Sequence, residues 1–107
     1  MPDPRVILVT FPDESGALKA GEMLVAEGLA ACVSVVPAVK SVYRWKGKIE
    51  RSGEALAIIK SQKECFDEIC RKVKGVHPYD CPEIISLPVQ EGFTPYLEWV
   101  LASTRRS

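Results

Sequence analysis

One histidine, His77, serves the whole 107-residue chain. Any Ser-His-Asp or Cys-His arrangement would therefore have to use it. Its neighbour Cys81 is reached only through the loop Pro78-Tyr79-Asp80, where nothing suggests an oxyanion hole. An excess of one charge is missing too: Lys+Arg and Asp+Glu number 14 each, for a formal net charge of zero. That excludes the strong positive field of a nucleic-acid binder. No apolar run approaches the roughly 20 residues that cross a bilayer. The first residues, Met1-Pro2-Asp3-Pro4-Arg5, carry neither the basic nor the apolar stretch of a signal peptide. The expectation is a cytoplasmic protein with no membrane and no nucleic-acid partner. Neither G-x-G-x-x-G nor G-x-x-x-x-G-K-[ST] occurs, so there is no phosphate-cradling loop, and G-x-S-x-G is absent as well.

Four cysteines are present, Cys32, Cys65, Cys70 and Cys81. In a leaderless chain with a good core, reduced thiols are expected rather than two disulfides. Cys65 and Cys70, five apart on one helix, lie about 140° around its axis and cannot face one zinc ion together. Cys70 and Cys32 read as small core residues.

What is present is an ordinary globular balance, 47% apolar and 26% charged, on a length that suits one domain over 1–107. Arg5–Thr10 is a short apolar run expected to be a central strand. Asp13 or Ser15 can cap the helix that follows, on which Ala17, Leu18, Ala20, Gly21, Leu24, Val25 and Gly28 share a face. From Ala31 to Trp45 the β-branched and aromatic residues predict a strand interrupted at Pro37. Lys46-Gly47 reads as a tight turn, and Lys48 to Ile59 as the returning strand, with a possible second bulge at Gly53.

Ser61-Gln62 is expected to open a second helix with an apolar stripe at Phe66, Ile69, Cys70 and Val73. Asp67 with Arg71 and Glu68 with Lys72 supply outer ion pairs, and Gly75 and Pro78 end the helix. Glu83–Val89 predicts a fourth strand, with Pro88 suited to an edge. Thr94-Pro95 then starts a short terminal helix over Tyr96–Ser103, Thr94 as its cap. The order β-α-β-β-α-β plus a helix is an α+β class, the ferredoxin-like or split-βαβ pattern. It implies an antiparallel sheet with helices on one face and a long hairpin between its second and third strands. The other face still carries valines, isoleucines and leucines, which predicts self-association.

Two stretches are candidates for function. In His77-Pro78-Tyr79-Asp80-Cys81-Pro82-Glu83 an imidazole, a thiol and carboxylates crowd a loop that two prolines stiffen. Imidazole and thiolate suit copper or zinc, whereas carboxylate suits harder ions. The alternative is that His77 caps the helix end and Glu83 is a solvated strand end. In Tyr43-Arg44-Trp45-Lys46-Gly47-Lys48, basic and aromatic residues interleave. With Glu50 and Glu54 close by, a contact between subunits is the better reading than single-stranded nucleic acid.

These residues resemble the CutA family, the divalent-ion tolerance proteins, from about Val6 to Leu101. The carriers are Leu29-Ala30-Ala31-Cys32-Val33, Ser41-Val42-Tyr43-Arg44-Trp45-Lys46-Gly47, Lys60, His77-Pro78-Tyr79 with Pro82-Glu83, and Tyr96-Leu97-Glu98-Trp99. The resemblance implies a non-enzymatic homotrimer of ferredoxin-like domains, linked to tolerance of copper and other divalent cations. It implies Cu2+ or another divalent cation as the bound species, with His77 the main ligand and Glu83 and Cys81 weaker ones. Some members carry a cysteine and a second histidine where this chain has Val9 and Val76. A second reading is similar to the trimeric nitrogen-regulatory proteins: a small molecule or protein partner held between subunits, with Tyr43, Trp45, Lys60 and Tyr79 lining the cleft. An acylphosphatase-like enzyme would need a glycine-rich anion loop with its arginine, which this chain lacks.

Overall fold

The computed structural model describes residues 2–105. Four strands and three α-helices follow in the order β1 (Pro4–Phe11), α1 (Glu14–Ala26), β2 (Cys32–Trp45), β3 (Lys48–Gln62), α2 (Phe66–Val76), β4 (Ile84–Pro88) and α3 (Thr94–Ala102). The sheet order is β2-β3-β1-β4, and every neighbouring pair is antiparallel. This is the expected split-βαβ topology, with β4 and its Pro88 on an edge, where a missing donor does least harm.

Alternation sorts the strands into two faces. Ile7, Val9 and Phe11 of β1 and Ala55, Ala57 and Ile59 of β3 point toward the helices and are buried. They pack with Ala17, Ala20 and Leu24 of α1 and Ile69 and Val73 of α2. Val9 therefore sits in the core. On the opposite face, register aligns Val6 with Lys60 and Leu87, and Leu8 with Ile58 and Ile85. Helix α3 meets that face only at its Gln62 end, where Gln62 Nε2 reaches Leu101 O at 3.4 Å, and Ile85, Leu87 and Val36 stand exposed on the rest of it.

Helix α1 starts where Asp13 Oδ1 accepts from the Gly16 N–H at 2.7 Å, so Asp13 rather than Ser15 is the cap. It lies close on the sheet: a Cβ at Gly21 would meet Val33 Cγ1 at 3.0 Å. The apolar face is narrower than the sequence pattern implied, because Leu18 and Val25 overhang the edge strand β2 and stay exposed. Gly28 is not on that face but beyond the helix end, with φ 71°. Its N–H donates to Val25 O at 3.0 Å and that of Leu29 to Leu24 O at 2.9 Å, the paired bonds of a Schellman closure.

The long hairpin is present. β1 pairs with β3 only as far as Ala55, so the strands from Val39 to Trp45 and from Lys48 to Glu54 project as a two-stranded ribbon. The expected break at Pro37 is a register shift between Val36 and Val39, with Ala38 at φ 60°. Gly53 is no bulge; it pairs with Lys40 in regular register. Lys46 and Gly47 turn the ribbon with φ 51° and 79°, the two positive values of a type I′ turn.

Three other expectations do not hold. Ser61 and Gln62 end β3 instead of opening α2, because each has a buried partner: Ser61 Oγ donates to Leu29 O, and Gln62 Nε2 to Thr104 Oγ1. Thr94 lies inside α3, whose cap residue Phe93 makes no side-chain bond. Glu68 pairs with Arg105 at 2.6 Å, and Lys72 with Glu27 at 3.2 Å, in place of the ion pairs expected within α2. All four thiols are free.

Candidate functional site

The ribbon, the end of β1 and the loop from His77 to Glu83 line a cleft of about 600 Å³. Thr10, Ser41, Val42, Tyr43, Trp45, Glu54, Tyr79, Asp80, Cys81 and Glu83 line it. Strand alternation explains the ribbon's share. Glu54 follows Leu56 and Ile58 along the uncovered face of β3, while Ser41, Tyr43 and Trp45 lie at alternate positions of β2.

His77 holds the loop to the sheet. It is 7% exposed and is the C-terminal cap residue of α2, where its N–H donates to Val73 O at 2.9 Å. Nε2 lies 2.7 Å from Thr10 O, and the Tyr79 N–H donates to Nδ1 at 3.1 Å. A carbonyl can only accept and an N–H can only donate, so the consistent tautomer carries its proton on Nε2. The ring also stacks on Phe11 with centroids 4.8 Å apart and leans on Tyr79 at 4.7 Å. Both nitrogens are thereby committed within the fold. An ion could take Nδ1 only at the expense of the Tyr79 N–H.

Tyr79 extends from this anchor into the cleft, where its hydroxyl donates to Glu54 Oε2 at 3.0 Å. Burial, then the bond to Glu54, then the charges nearby raise its phenol above the usual tyrosine range. Cys81, Asp80 and Glu83 are exposed at the rim. Among the described residues no three His, Cys, Asp or Glu side chains converge as a metal-binding group. A single chain thus offers thiol and carboxylate donors without a closed coordination sphere.

The fold and motifs agree with the comparisons. The family model described as CutA1 divalent ion tolerance protein matches residues 5–103. The chain belongs to the CutA1 divalent ion tolerance family. It is 41% identical to the divalent-cation tolerance protein CutA of Thermus thermophilus, over 94% of this chain and 97% of that protein. Against the chloroplastic protein CutA 1 of Oryza sativa it is 42% identical over 95% of its own length, but spans only 58% of that protein. The solved CutA1 structures from the same two organisms superpose with TM-scores of 0.93 and 0.94 at 40% and 41% identity, covering 95% and 98% of this chain and 99% and 96% of theirs. A structure described as the periplasmic divalent cation tolerance protein CutA from Archaeoglobus fulgidus gives 0.90 at 34% identity, covering 94% of this chain and 97% of that one. Within the family, therefore, location varies.

The structure gathers most of the residues singled out in the sequence. Tyr43, Trp45, Tyr79, Cys81 and Glu83 share the cleft, and His77 lies beneath it. Lys60 does not join them. It faces Val6 and Cys32 near the far end of β3, where its Nζ donates to Ser34 Oγ at 2.7 Å. Glu54 is a site residue that sequence reasoning passed over, and Asp80, inside the candidate loop, was assigned no role of its own. For Glu54 the signal was its alternation with Leu56 and Ile58 along β3.

Proposed function

We propose that this protein works without catalysis as a homotrimer in the cytoplasm that takes up divalent cations, copper among them, at the cleft. The observation that carries this is the cleft's donor set, the Cys81 thiol with the Asp80, Glu83 and Glu54 carboxylates, in a chain of the divalent ion tolerance family. Thiolate favours soft ions such as copper and carboxylate favours harder divalent ions, so the mixed set suits tolerance to more than one metal. His77 acts by fixing the loop that carries Cys81 and Glu83. Because one chain closes no sphere, the assembly supplies further donors. The exposed apolar part of the sheet face and the projecting ribbon support that assembly.

Calorimetry of tag-free protein with Cu2+ tests the reading, with Cys81→Ser and Glu83→Gln as variants. Saturable heat that each variant weakens is expected, together with a trimer mass by light scattering. Equal heats in parent and both variants remove the site from this cleft.

The aromatic share of the lining favours a second reading, a small molecule bound between subunits. The volume falls within the range of roughly 300–1,000 Å³ usual for such sites. A metabolite screen by thermal shift separates the two, since a rise specific to one organic ligand supports this second reading.

A further inference from the structure

The cleft combines two chemistries that metal binding alone does not use together. Three aromatic residues, Tyr43, Trp45 and Tyr79, line it alongside three carboxylates, Glu54, Asp80 and Glu83. Among the described residues no lysine or arginine joins that lining. Lys48 lies opposite Trp45 at the ribbon tip, whereas Arg44 and Arg51 occupy the alternate positions of the ribbon. Within the single chain Trp45 and Tyr43 are 55% and 44% exposed, so their own fold leaves part of each ring uncovered. Tyr79 is held in place from behind by the His77 ring and tied by its hydroxyl to Glu54.

A metal ion needs donors that converge at about 2 Å, and these carboxylates do not converge as such a group. A diffuse positive charge needs less. An alkylated ammonium head is attracted to the negative face of an aromatic ring within about 6 Å and to carboxylates that need not share one point. Its apolar methyl groups also match aromatic walls, which an inorganic ion does not.

We infer that the cleft binds an organic cation, a small molecule bearing an alkylated ammonium group, between the Tyr43, Trp45 and Tyr79 rings and the Glu54, Asp80 and Glu83 carboxylates. This deepens the small-molecule reading by naming its class, and rests on that reading. Its failure is separable from failure of the metal reading, because a quaternary ammonium accepts no coordinate bond.

The test is calorimetric titration of the full chain in chelator with choline and, in parallel, with dimethylbutanol, its uncharged carbon isostere. Choline is expected to bind saturably and about tenfold or more tightly than the isostere, the margin a partly desolvated cation–π contact supplies. Trp45→Leu and Glu83→Gln, both at exposed positions, are each expected to weaken choline severalfold or more with an unchanged circular dichroism spectrum. Added salt is expected to weaken it further, since the carboxylates act through charge. Equal affinity for choline and its isostere overturns the inference, and so does absence of saturable choline binding. Unchanged binding in both variants overturns it as well, by placing the ligand elsewhere.

Discussion

Replacing His77 by alanine separates a scaffold from a ligand. The substitution removes a ring that stacks on Phe11 and leans on Tyr79, and strands two backbone groups, Thr10 O and the Tyr79 N–H. An unsatisfied buried group costs about 1–3 kcal/mol, and loss of a buried aromatic ring about 3–5 kcal/mol with its cavity. Taking the low end of each range, for the ring and for one stranded group, the total for His77→Ala is about 4 kcal/mol. His77→Phe retains the ring stack and loses only the polar partners, so about 2 kcal/mol is expected. Urea denaturation in chelator, followed by circular dichroism at one fixed protein concentration, reads both numbers. At a slope of about 2 kcal/mol per molar, the alanine variant's midpoint falls by about 2 M and the phenylalanine variant's by about 1 M. A chelated His77→Ala protein within about 1 kcal/mol of the parent refutes the scaffold role. It would mean that the imidazole contributes chiefly when an ion is bound.

Three further substitutions follow from the backbone and from Tyr79. Gly28→Ala forces a side chain into the left-handed φ of 71° and is expected to cost about 1–2 kcal/mol, checked by the denaturation midpoint. Lys46→Asn suits the type I′ turn at φ 51° and is expected to stabilise by a few tenths to about 1 kcal/mol on the same measurement. Tyr79 has its phenol raised by burial and by Glu54, so its folded form favours the proton more than the unfolded chain does. Its contribution is complete below the ordinary tyrosine value of about 10 and is lost as pH rises through the raised value. Alkaline denaturation is therefore expected to be shallower in Tyr79→Phe than in the parent, and identical alkaline limbs would count against the buried Tyr79–Glu54 pair.

Element order and type were legible because each rests on a local pattern. The β-branched run of β2, the 3.6-residue stripe of α2 and the Lys46-Gly47 turn each act through nearby backbone preference. Most of the failures are non-local. Ser61 and Gln62 look like a helix opening until Leu29 O and Thr104 Oγ1 arrive from distant parts of the chain to hold them in β3. Gly53 carries no mark that distinguishes a bulge from a regular pair; its partner Lys40 decides. Leu18 and Val25 match the apolar face of α1, and only the edge position of β2 leaves them uncovered. The site divides the same way. Its aromatic and loop residues stood out as clusters, but Lys60 was grouped with them on motif alone, and the sheet carries it to the other end.

The ribbon also links the cleft to assembly. Beyond Glu54 the two strands have no third strand to pair with in their own chain, and Val42, Ile49 and Trp45 are 65%, 62% and 55% exposed on it. An isolated two-stranded hairpin is marginal in water, so in the proposed trimer another copy would hold the ribbon. Yet Tyr43 and Trp45 on that ribbon form one wall of the cleft, while His77 fixes the opposite wall to the core. In the proposed assembly one wall is therefore set by the fold and the other by association. In the proposed trimer a ligand that contacts both walls must stabilise the assembly by mass action, and dilution must weaken the ligand in return. A cleft whose ligand affinity is unmoved by protein concentration across the dissociation range would show that the ribbon is ordered by its own chain, and the coupling argued here would fail with it.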